Sequence, residues 1–88
     1  MSRHEIPAKI SAHKVIVGWD HPLLTYFAQV IDRAKEKAGS KDSKFILWVG
    51  CSPRELYEIE QLAHRVRHWA ELTPEIRVTL YGDKDEGR

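Results

Sequence analysis

Three groups of side chains in this 88-residue sequence are of types that do chemistry. The first is Cys51, which follows an apolar run ending in Gly50 and precedes Ser52-Pro53-Arg54-Glu55. A helix starting there would place backbone N–H groups and a positive dipole end beside the sulfur, lowering its pKa, with Arg54 adding charge. That would be nucleophilic thiol catalysis. A nucleophile also needs a base and an oxyanion donor, and no Cys-x-x-Cys or Gly-rich context supplies them. A small residue at a strand-to-helix corner is the plainer reading.

The second group is His64 and His68, spaced i and i+4, with Glu60 one turn earlier. Two imidazoles and a carboxylate on one helical face can hold a metal ion. On the helical wheel all three face solvent, and Arg65 and Arg67 crowd any cation. The pattern therefore predicts neither a metal nor a cofactor.

The third group is basic: Arg65 and Arg67, with Lys41 and Lys44 from a lysine-rich segment. These could touch phosphates while Trp19 or Trp48 stacks on bases. Glu55, Glu58, Glu60 and Glu71 interrupt the same region, and 14 basic against 13 acidic residues leave a net charge of only +1. A nucleic-acid binder concentrates positive charge on one surface, so this reading ranks second.

The elements that would position these groups follow from patterning. Residues 14–19 and 44–49 are β-branched and aromatic runs, each bounded by turn residues, and read as strands. Ser52, Pro53 and Glu55 form a capping-box signature that predicts a long helix. Along it Leu56, Ile59, Leu62, Ala63, Val66, Trp69 and Ala70 share one face. Thr73-Pro74-Glu75 predicts a second, short helix with Ile76 and Leu80 turned inward.

Residues 23–38 are ambiguous. As a helix, Leu23, Phe27, Val30, Ile31, Ala34 and Ala38 line up, with Gly39 as the C′ residue. As a strand, Leu24, Tyr26, Ala28 and Val30 alternate against Thr25, Phe27, Gln29 and Ile31. The helical reading gives an α/β βαβαβ sheet with 22–38 helical and 77–81 a strand. The strand reading gives an α+β fold: a three-stranded antiparallel meander under one long and one short C-terminal helix.

The segment Gly18-Trp19-Asp20-His21-Pro22-Leu23, followed by Tyr26-Phe27-Ala28-Gln29-Val30, resembles a group of small uncharacterised bacterial proteins. They share a glycine–aromatic–aspartate turn, a leucine and paired aromatics. A second run matching Trp48-Val49-Gly50, an acidic residue matching Glu55 and a Pro-led helix matching that from Pro74 extend the likeness over residues 15–84. The lysine-rich stretch 33–44 departs from it. The resemblance implies that the chain after the turn returns as a strand, which favours the α+β meander. It implies no activity.

Composition bounds the remainder. No apolar run reaches the roughly 18–20 residues of a membrane span. The first ten residues lack a signal-like apolar stretch, and one cysteine forms no internal disulfide, so a cytoplasmic location is expected. A chain this short buries only about 60–65% of its unfolded surface, and self-association would help it. The expected organisation is a single domain over 14–82 between flexible tails at 1–13 and 83–88. Both faces of the sheet read as apolar. The expected function is therefore non-enzymatic protein–protein contact, as a homodimer or with a protein partner. Trp48, Tyr26, Trp19 and Ile46 are the candidate interface on the uncovered face.

Overall fold

Residues 1–39 and 44–87 are described by the computed structural model of the chain. In chain order the elements are β1 (His4–Ile6), β2 (His13–Asp20), β3 (Thr25–Asp32), α1 (Arg33–Ala38), β4 (Phe45–Val49), α2 (Ile59–Val66) and α3 (Pro74–Glu86). The fold is α+β: the strands form one antiparallel sheet in the order β1-β2-β3-β4. The helical alternative for 22–38 fails, as does the strand at 77–81, which lies inside α3.

Both halves of the ambiguous segment were meaningful, in succession. Residues Thr25–Asp32 pair with β2 over its whole length, from His13↔Asp32 to Asp20↔Thr25. The chain then turns helical at once, because the Asp32 carboxylate accepts from Ala34 N–H (2.9 Å) and Lys35 N–H (3.2 Å). That short helix ends on Gly39.

Two corrections concern the tails. Residues His4–Ile6 are a fourth strand paired with β2, and Ile6 is buried. Three residues, two of them polar, carry no strand signal. Their docking is tertiary: Ser2 N–H donates to Trp19 O, and Trp19 N–H donates to Ser2 Oγ, both at 3.0 Å. Gly18 makes this approach possible, since a Cβ there would lie 2.0 Å from Ser2 O and 2.7 Å from the Phe27 ring. At the other end, α3 runs to Glu86 and buries Asp83, whose carboxylate lies 2.6 Å from His4 Nε2. The predicted charged tail is thus largely the last turns of a helix, which is the longer of the two C-terminal ones.

The capping-box signature at Ser52 misplaces α2, which starts at Ile59. The intervening residues are committed to β3 and the turn before it: Arg54 N–H donates to Leu23 O (2.9 Å), Tyr26 N–H to Leu56 O (2.7 Å), and Leu56 N–H to Thr25 Oγ1 (2.8 Å). These bonds outweigh the first turns of an exposed helix, which would gain only local bonds. The cap forms later, where Glu58 N–H donates to Gln61 Oε1 at 2.9 Å. Thr73 caps α3 as expected, accepting from Ile76 N–H.

The helix-facing side of the sheet carries the main core. Val15, Val17, Trp19, Tyr26, Ala28 and Val30 meet Leu56, Ile59, Leu62, Val66, Ala70 and Leu80 there. The apolar face foreseen for 56–70 is therefore the packed one, although its helix is shorter. Trp19 and Tyr26 are register partners, with ring centroids 4.9 Å apart in an edge-on arrangement.

Tyr26 Oη is buried there with no hydrogen-bond partner among the described residues, and burial, then the fields of Tyr81, Glu58, Asp85 and Asp83, push its pKa up to about 12. An unfolded chain loses that proton near pH 10, whereas the folded one keeps it to about 12. Stability should therefore fall as pH rises through that window, by roughly 2 kcal/mol for this group. Tyr26→Phe removes an unpaired polar atom, so it should be neutral or stabilise by up to about 1 kcal/mol. Denaturant melts at neutral and alkaline pH should show that gain and a flattened alkaline slope in the variant.

Candidate functional site

The sheet face turned away from α2 and α3 was expected to be an open apolar surface. Along β2 and β3, alternation puts Ile16, Phe27, Gln29 and Ile31 there. At β4 the alternation breaks, because Ile31 pairs with Phe45 while Val30 pairs with Leu47, leaving Ile46 as an extra residue. This bulge moves Phe45 from the side of Leu47 to that of Ile16, Phe27 and Ile31. Phe45 then stacks on Trp48, with centroids 4.6 Å apart.

The centre of this face is closed within one chain. Ile16, Phe27 and Ile31 retain only 6%, 4% and 3% exposure. Charged side chains cross or rim it: Arg3 donates to Gln29 Oε1, Arg33 pairs with Glu5, and Glu36 lies between Lys14 and Lys44. What stays open is the β4 margin, where Trp48 is 52% and Ile46 42% exposed.

The four candidate interface residues therefore separate. Trp48 and Ile46 lie together on the outer strand. Trp19 and Tyr26 are enclosed in the core, at 1% and 0% exposure, because alternation directs both toward the helices. Their place at an open-face interface is withdrawn.

Each described basic candidate is engaged by a neighbour. Arg65 sits 3.9 Å from Glu55, Arg67 Nη1 donates to His64 O, and Lys44 pairs with Glu36. Lys41 lies outside the described residues. Of the histidine pair only His64 lies in α2, which ends at Val66, and Glu60 pairs with Arg77. Among the described residues no group of three His, Cys, Asp or Glu side chains could hold a metal ion.

Cys51 is exposed and lines a cleft of about 410 Å³ together with Trp48, Phe27, Asp20 and Arg3. α2 starts only at Ile59, so no helix begins at Cys51 to aim its N-terminal dipole at the sulfur. Partial burial pushes the thiol pKa up, and the Glu55 and Asp20 carboxylates push it further. This is opposite to the shift an activated nucleophile needs. Alkylation of Cys51 across neutral to alkaline pH should therefore give an apparent pKa above that of a free cysteine. A value well below it would restore the thiol reading.

Sequence patterning carries no sign of a further cluster, in which Lys84 of α3 meets Trp19, Tyr26 and Tyr57. The residues are far apart in the chain and only the docking of α3 joins them. Comparison with protein-family models, curated proteins and solved structures yields no match. Among the described residues no helix is long and apolar enough to cross a membrane.

Proposed function

We propose that the protein works by protein–protein contact rather than catalysis, and that its β4 edge pairs with the same edge of a second copy. One observation carries this reading. β4 is an outer strand of the sheet, and its exposed apolar side chains, Ile46 and Trp48, stand on either side of Leu47. An outer strand is a ready place for another chain to add a strand, and proteins usually blunt such edges with charge or proline. Phe45-Ile46-Leu47-Trp48-Val49 contains neither.

The arrangement is self-complementary. Antiparallel pairing about a two-fold axis at Leu47 sets Ile46 of each copy opposite Trp48 of the other, an aromatic–β-branched pair made twice. The same axis brings Lys44 to the far end of the partner strand, where a Glu55 carboxylate accepts from Gly50 N–H at 3.1 Å. Opposite charges meet at both ends. The bulge at Ile46 lies on the β3 side of the ladder and adds twist to the edge.

Sedimentation velocity from low micromolar to millimolar protein tests the reading. The wild-type chain should shift toward a dimer with concentration, and Trp48→Glu should remain monomeric while keeping its circular dichroism. A wild-type chain that stays monomeric throughout overturns it.

A further inference from the structure

The Lys84 ammonium is surrounded by aromatic rings. Its Nζ lies 3.6 Å from the Tyr57 centroid, 5.4 Å from Trp19 and 5.7 Å from Tyr26. All three fall within the roughly 6 Å over which a ring quadrupole attracts a cation. Nζ also donates to Tyr57 O at 2.7 Å. Trp19 and Tyr57 stand edge-on, with centroids 6.2 Å apart, as do Trp19 and Tyr26. Rings set at steep angles around one point make a box rather than a stack.

We propose that Trp19, Tyr26 and Tyr57 form a binding cage for a quaternary ammonium group, with Lys84 as its resident occupant. Three further features fit a cation. The carboxylates of Glu58, Asp83 and Asp85 act on Tyr26, so the surroundings are anionic. Lys84 belongs to the last turn of α3, where the helix dipole is negative. The cage also has a way in: Tyr57 is 42% exposed and Lys84 is half-buried, whereas Trp19 and Tyr26 form the closed back wall.

The bland alternative is a lysine that only pins α3 to the sheet. An apolar side chain would do that without bringing a charge among buried rings. An ammonium there is instead what the cage selects. Lys84 is held there by its bond to Tyr57 O and by the three ring contacts, which an external cation would have to displace. A methylated ammonium spreads its charge over a larger apolar surface and costs less to dehydrate, so it suits three ring faces better than the primary amine. Choline and trimethyllysine share this chemistry. Lys84 competes intramolecularly, so external ligand should bind the wild-type chain weakly and a Lys84 variant more tightly.

The probe is tetramethylammonium, followed by the Trp19 indole N–H resonance. Lys84→Ala and Lys84→Gln should each bind it at least about tenfold more tightly than the wild type. Tyr57→Ala in either background should abolish the saturable shift. In the wild-type chain, high tetramethylammonium should displace the Lys84 side-chain resonances, a readout that requires no variant to fold. Choline and a trimethyllysine peptide, titrated next, distinguish the two sources of the group. The proposal is overturned if the Lys84 resonances do not respond, or if folded variants bind no more tightly than wild type. Equal binding of the neutral choline isostere 3,3-dimethylbutanol also overturns it, since the cavity would then be merely apolar.

Discussion

Trp19→Ala is expected to cost about 3–5 kcal/mol and to lower the melting temperature by roughly 15–30 °C. Trp19 is among the largest fully buried side chains, and its ring meets Tyr26 edge-on at 4.9 Å. Its neighbours come from β3, from the segment before α2 and from the end of α3. Removing the indole leaves a cavity bounded by separate elements, and such a cavity cannot collapse cheaply. The loss approaches the whole stability of a small domain, about 0.05–0.15 kcal/mol per residue. Trp48→Ala provides the contrast. That indole is half-exposed against Phe45, so the isolated chain should lose no more than about 1 kcal/mol. Thermal melts of dilute protein followed by circular dichroism compare the two. Similar losses from both would contradict the separation of the sheet faces.

Gly50→Ala is expected to destabilise by about 2–5 kcal/mol. Gly50 follows β4 directly with φ at +84°, a conformation that costs any residue with a Cβ. The new Cβ would also meet main chain rather than a movable side chain, lying 2.1 Å from Tyr26 O and 2.5 Å from Phe27 Cα. Relief requires β3 and the end of β4 to separate, which disturbs the bonds tying 54–56 to β3 and the turn before it. Gly82→Ala sets the sign by comparison. Gly82 lies within α3 with nothing near its would-be Cβ, so alanine there should stabilise by about 0.5–1 kcal/mol. Denaturant titration of the two variants should move the midpoints in opposite directions.

How far these features were legible in the sequence depends on whether they are local. The alternation of Val15, Val17 and Trp19, and of Tyr26, Ala28 and Val30, gives which residues share a side of β2 and β3. It does not give that the helices cover that side, so Trp19 and Tyr26 read from sequence as open-face residues and prove to be core. Thr73-Pro74 and Leu80 place α3. Where tertiary contacts decide, patterning misleads. Ser52, Pro53 and Glu55 have every local mark of a helix start, yet hydrogen bonds to Leu23, Thr25 and Tyr26 hold that stretch in turns. His4-Glu5-Ile6 becomes a strand only because Gly18 lets the N-terminus lie against β2. The candidate surface was half legible for the same reason. Trp48 and Ile46 are exposed on β4, but strict alternation there hides the bulge that gathers Phe45 onto the face of Phe27. Alternation within each strand says nothing of the register between β3 and β4, and that register sets Trp48 beside Gln29, on the side away from Tyr26.

The account rests on β4 being an edge that meets its own copy. Amide hydrogen exchange of residues 45–49, measured across protein concentration, tests this most directly. Protection of the outward-facing β4 amides should rise with concentration in the wild type and stay low in Trp48→Glu, while β2 and β3 remain protected in both. Exchange in β4 that is rapid and identical at every concentration would contradict the account.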